Sequence, residues 1–101
     1  MPQLRLPRLV GTREAVTDLL AEQQVPASLR DEPLVVLCRV VASGSTSFAD
    51  ELVRQVVEVR DARELVLVGA PERLLRYVRD AAGRRGVSSR VVARSGAEVE
   101  V

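Results

Sequence analysis

Histidine, lysine and tryptophan are missing altogether from this 101-residue chain. Without histidine a Ser-His-Asp arrangement is impossible, and one cysteine with no imidazole makes no zinc site. Without lysine there is no G-x-x-x-x-G-K-[ST] loop, and no G-x-G-x-x-G occurs either. Phe48 and Tyr77 are the only aromatic residues, so the core must be built from Val, Leu and Ala. An aromatic-lined sugar or nucleobase pocket is not expected, and single-stranded nucleic acid finds no stacking platform. The lone Cys38 rules out an internal disulfide framework. It sits mid-run among aliphatic residues with no histidine to activate it, so it reads as a buried core residue rather than a nucleophile. No apolar run approaches the roughly 18 residues that cross a bilayer. Pro2, Arg5, Pro7 and Arg8 interrupt the start of the chain, which argues against a signal peptide. The expectation is a cytoplasmic protein with no cofactor, no metal and no catalysis of its own.

What is present is a globular balance, 47% hydrophobic and 29% charged. The length fits one domain over residues 1–101, able to bury roughly 65% of its unfolded surface. The net charge is +1, so no global field recruits an anionic partner. All fifteen basic residues are arginine, which reads first as coding bias.

Residues 4–10 alternate around a proline and read as an edge strand, because proline removes a ladder donor. Gly11 turns the chain, Thr12 can cap a helix, and Val16, Leu19 and Leu20 share its apolar face. Pro26 follows the end of that helix. Residues 34–41 form a near-continuous aliphatic run broken by Arg39, the pattern of a central strand covered on both faces. Helical spacing through Phe48, Leu52, Val56 and Val59 predicts a second helix, with a polar end at residues 60–63. Leu65-Val66-Leu67-Val68 is a second buried strand, closed by Gly69-Ala70-Pro71. Pro71 is suited to the first position of a third helix. There Leu74, Leu75, Val78, Ala81 and Ala82 share a face, and residues 83–86 stop it. Residues 88–93 read as a last parallel strand, after which Gly96 turns a short strand at 99–101. The alternation implies an α/β domain with a mainly parallel sheet of four to five strands and about three helices.

Everything converges on Ser43-Gly44-Ser45-Thr46-Ser47-Phe48-Ala49-Asp50-Glu51-Leu52, where a strand runs through a hydroxyl loop into a helix. Ser47 is placed to cap that helix, with Asp50 reaching back three residues as in a capping box. Gly44 and the hydroxyls of Ser45, Thr46 and Ser47 could hold an anion at a helix N-terminus. Asp50 and Glu51 in the first turn would repel it, so capping is the simpler account. Those two carboxylates diverge by about 100° on a helix and make a poor acid-base pair.

A second cluster lies in the C-terminal third. Arg73, Arg76 and Arg79 share a helix flank, and Arg84 and Arg85 follow at its end. The helix dipole attracts some of these cations, and a solvated face is the plain reading. The functional alternative is an anionic-partner surface.

The strand over residues 35–41, the Ser47-Phe48-Ala49-Asp50-Glu51-Leu52 string and Leu65-Val66-Leu67-Val68-Gly69-Ala70 together resemble a STAS-like domain. The likeness is to a bacterial STAS-like family of unassigned function in which Ser-Phe-Ala-Asp-Glu opens the helix, and it covers residues 34–86 best. It implies a non-catalytic regulatory module, distantly similar to anti-sigma factor antagonists, which bind an ATP-using serine kinase and are switched by phosphorylation. Carried onto this chain, the phosphoacceptor position falls on Ser47. Ser45 stands where those proteins carry Asp, and Phe48 where they carry Gly. The implied partner is a histidine-kinase-type ATPase, docked through Gly44, Ser45, Thr46, Ser47, Phe48, Asp50 and Glu51. Two other readings stay open. One is a small nucleic-acid-associated protein using the arginine flank; the other is a structural subunit that self-associates as a homodimer through its sheet.

Overall fold

The structure is a computed structural model that describes residues 2–95. In chain order it comprises β1 (Gln3–Arg5), β2 (Leu9–Val10), α1 (Arg13–Glu22), β3 (Pro33–Leu37), β4 (Ser43–Gly44) and α2 (Thr46–Val53). Helix α2 continues as a π-helical stretch, Arg54–Val59. Then come β5 (Glu64–Val68), α3 (Glu72–Arg84), a short 3-10 turn (Ser88–Arg90) and β6 (Val91–Arg94). The expected α/β fold is therefore present, with three helices and a four-stranded parallel sheet ordered β1-β3-β5-β6.

That order repeats the chain order, so every crossover steps the same way across the sheet. Right-handed crossovers then place all three helices on one face, with α2 packed between α1 and α3. This corrects the expectation of a central strand covered on both faces. In β3 only Leu34 and Val36 are buried, whereas Pro33, Val35 and Leu37 on the other face are partly exposed. Leu34, Val36, Leu65 and Leu67 join Phe48, Leu52, Val56, Leu74 and Val78 in one core between sheet and helices. Phe48 is fully buried there, a contribution of about 2–3 kcal/mol relative to exposure.

Several boundaries differ from the sequence pattern. The strand expected over 4–10 is two strands: β1 ends at Arg5, and β2 pairs in parallel with β4 in a separate two-stranded sheet, Leu9 beside Ser43 and Val10 beside Gly44. The run 34–41 stops being a strand at Leu37. Beyond it the Val41 N–H donates to the Cys38 carbonyl at 3.1 Å and turns the chain through Arg39 and Val40. Pro71 precedes α3 as its N-cap instead of occupying its first turn. The last strand is shorter than 88–93, because residues 88–90 form the 3-10 turn. The turn at Gly96 and the strand expected at 99–101 lie outside the described residues.

Other local signals act as expected. Thr12 Oγ1 accepts the Ala15 N–H at 3.1 Å and caps α1, whose Val16 and Leu20 are buried. Helix α3 buries Leu74, Val78, Ala81 and Ala82. It closes with a Schellman arrangement: Gly86 takes φ +71°, Val87 N–H reaches the Ala82 carbonyl and Gly86 N–H that of Gly83. At the outer side of β1, the Gln23 carboxamide accepts the Arg5 N–H at 2.8 Å and donates to the Arg5 carbonyl at 2.7 Å. It occupies both outward backbone groups of Arg5. No helix among the described residues is long and apolar enough to cross a membrane.

Candidate docking surface

The hydroxyl loop lies between the carboxyl end of β3 and α2, and Ser43 and Gly44 share a cleft with Pro71, which follows β5. Its anchor is Ser45, not Ser47. Ser45 is extended (φ −110°, ψ 162°), and its Oγ accepts the Phe48 N–H at 3.0 Å while donating to the Gly11 carbonyl at 2.9 Å. The second bond decides between the neighbouring hydroxyls, since it ties the start of α2 to the exit of β2. Thr46 and Ser47 are exposed in the first turn. Gly44 is held close to the core: a Cβ there would meet Leu74 Cδ1 at 3.1 Å and Val10 Cγ2 at 3.3 Å.

Asp50 does not fold back as a capping-box partner. Its carboxylate accepts from Arg85 Nε at 3.1 Å, Arg85 Nη2 at 2.8 Å and Arg13 Nη1 at 2.8 Å. Glu51 accepts from Arg54 Nε at 3.0 Å, Arg54 Nη2 at 2.7 Å and Gln55 Nε2 at 2.9 Å. Its side chain is only 9% exposed. The Arg85 guanidinium holds Asp50 down at about 2, and Arg54 does the same for Glu51, also at about 2. Both acids are thus ionised and engaged within the molecule, clasping α1, α2 and α3 together. Phe48 is in the core. Of the residues expected on the docking surface, Phe48, Asp50 and Glu51 are occupied inside the fold, Ser45 is spent on its cap, and Thr46 and Ser47 face outward.

The arginine cluster divides in the same manner. Arg85 bridges Asp50 and Glu58, the latter at 2.6 Å, and is 22% exposed, so it belongs to the clasp and not to an anionic-partner face. Arg84 lies 4.0 Å from Asp50. Arg73, Arg76 and Arg79 are exposed and form no ion pair among the described residues. Cys38 is fully buried and desolvation pushes its thiol up to about 12, so it stays protonated at neutral pH. No group of three or more potential metal ligands gathers among the described residues.

The residues that sequence reasoning missed are Leu9 and Val40, 71% and 59% exposed. Leu9 pairs beside Ser43 at the hydroxyl loop, and Val40, three residues past β3, lines a cavity with Gln3, Arg5, Leu6 and Leu37. A signal for Leu9 existed in Leu9-Val10. Adjacent residues in extended chain point to opposite faces, so one of Leu9-Val10 had to turn outward, while Val40 is exposed by the turn through Arg39 and Val40. A cleft of about 70 Å³ adjoins the loop, lined by Ser43, Gly44, Pro71, Arg73 and Leu74 among others. Comparison with family models, curated proteins and solved structures finds no match to this chain.

Proposed function

We propose that this chain is a non-catalytic, STAS-like interaction module that docks a partner protein at the carboxyl end of its sheet. The observation that carries the reading is exposed Leu9 paired beside exposed Ser43 at the entry to the hydroxyl loop, with Val40 exposed on the turn that leads into it. Two large apolar side chains near open hydroxyls give a surface that a protein partner can desolvate and orient on. The resemblance makes that partner a histidine-kinase-type ATPase and makes Ser47 the phosphoacceptor. Ser47 can take a phosphate without loss of the helix cap, because Ser45 supplies the cap. A phosphate brings about −1.5 to −2 charges to the first turn of α2, where the helix dipole favours anions. The opposing charges of Asp50 and Glu51 are already matched by Arg13, Arg85 and Arg54.

Incubation with such a kinase and ATP, followed by mass spectrometry, tests the switch: phosphate is expected on Ser47. Phosphate found only at other positions, or at none, removes the switch from the reading. Docking is tested separately with Leu9→Glu and Val40→Glu. Both variants should keep the circular dichroism and melting temperature of the parent while losing capture of the kinase. Undiminished capture would place the interface elsewhere.

A further inference from the structure

Arg13, Arg54, Arg84, Arg85 and Arg90 each have a carboxylate within 4.0 Å. Arg73, Arg76 and Arg79 have none among the described residues, as is also true of Arg5, Arg8 and Arg30; what sets the three apart is that they stand together on α3, with Glu72 and Asp80 on the same helix. The rotation of α3 is fixed by Leu74, Val78, Ala81 and Ala82 on its buried side, so the three arginines cannot turn inward for partners. They climb the outer side of the helix at about 4.5 Å per step and span roughly 9 Å. Each end of the row also opens on a serine. Arg73 lines the cleft with Ser43, and Arg79 lines a cavity of about 350 Å³ with Ser88, Ala82 and Val91.

We propose that this outer face of α3 is a second docking strip, adjoining the hydroxyl-loop surface at Arg73, and that its occupant is an acidic segment of a partner protein. Carboxylates on one face of an extended or helical segment recur every 5–7 Å or so, a spacing the arginine row spans. The guanidinium fork takes a carboxylate through two parallel bonds. The strip suits a protein better than a nucleic acid. Glu72 and Asp80 interrupt its positive field, a net charge of +1 gives no long-range attraction, and its one aromatic, Tyr77, is partly buried against the core. A phosphate backbone gains with every phosphate that is neutralised and meets Glu72 and Asp80 here, whereas a protein segment can present carboxylates only where arginines stand.

The test uses a fluorescein-labelled dodecapeptide of alternating Glu and Ala and the whole chain. Fluorescence anisotropy is read at about 10 mM salt, where charges act over roughly 30 Å. The Arg73/Arg76/Arg79→Gln triple variant should weaken binding about tenfold. An Arg5/Arg8/Arg30→Gln variant, with the same loss of charge elsewhere on the surface, should change it by less than about twofold. If the first variant fails to fold, the three single Arg→Gln variants give the same comparison. No binding by the parent chain, or equal losses in the two triple variants, would overturn the strip. Tighter binding of a short duplex DNA, lost in the α3 variant, would overturn the protein partner and assign the face to nucleic acid.

Discussion

Two serines two residues apart should respond very differently to the same substitution. Ser45→Ala removes the acceptor of the Phe48 N–H and the donor to the Gly11 carbonyl. Loss of a cap costs about 1 kcal/mol. The second bond adds about 0.5–1 kcal/mol, moderated because Gly11 is exposed and its carbonyl can take water. The expected loss is about 1.5–2 kcal/mol, or about 10 °C in melting temperature for a domain of this size. Ser47→Ala removes an exposed hydroxyl from the first turn of α2 and supplies a better helix former, so its effect should stay within about 0.5 kcal/mol of zero. Urea denaturation followed by far-ultraviolet circular dichroism separates the two. A Ser47→Ala loss equal to that of Ser45→Ala would refute the assignment of the cap. The expected outcome also matters for function, since Ser47→Ala then reports on phosphorylation and docking in a protein whose stability is unchanged.

Asp50→Asn should cost about 2 kcal/mol at neutral pH, because it takes the charge from hydrogen bonds to Arg85 and Arg13. Asp50 is depressed to about 2 in the folded protein, chiefly by Arg85, and its stabilisation is present above its unfolded value near 4. It fades as pH falls through about 2, so the gap between parent and variant in urea titrations should close there; a gap independent of pH would contradict the clasp. Gly69→Ala should destabilise more than Gly86→Ala in thermal melts. Both glycines have positive φ, a strain of about 1–2 kcal/mol for alanine, but only at Gly69 would the new Cβ meet another side chain, Arg39 Cγ at 2.9 Å. Cys38 should resist a thiol reagent at pH 8 and react once urea unfolds the chain; prompt reaction of the folded protein would contradict its burial.

Helix α3 was the most legible part of the fold, because Leu74, Val78 and Ala81 recur with the helical period and residues 83–86 mark its end. Its outward arginines follow from that same period. The ends of β3 were not legible: residues 34–41 are almost uniformly aliphatic, and apolarity alone does not say where an extended chain turns. The turn is set by the Cys38 carbonyl accepting from Val41, with the Cys38 N–H held by the Val68 carbonyl on the neighbouring strand. The cap was ambiguous for a related reason. Ser43, Ser45, Thr46 and Ser47 all carry hydroxyls, and the choice rests on a carbonyl 34 residues away in sequence. Asp50 looked like a surface acid because its partners Arg13 and Arg85 lie on α1 and at the end of α3, which no local pattern joins to it, whereas Glu51 is held chiefly by Arg54 and Gln55, three and four residues on.

Gln23 gives the sheet a fixed width on one side. An edge strand with bare N–H and C=O groups is a template onto which another chain can crystallise, strand by strand, into a fibre. A single side chain here imitates one rung of the missing neighbour and satisfies both groups of Arg5. Because the imitation comes from the end of α1, it lasts only while that helix is docked. Protection of this rung is therefore tied to one helix-strand contact, and fraying at the end of α1 would unmask it before the core opens.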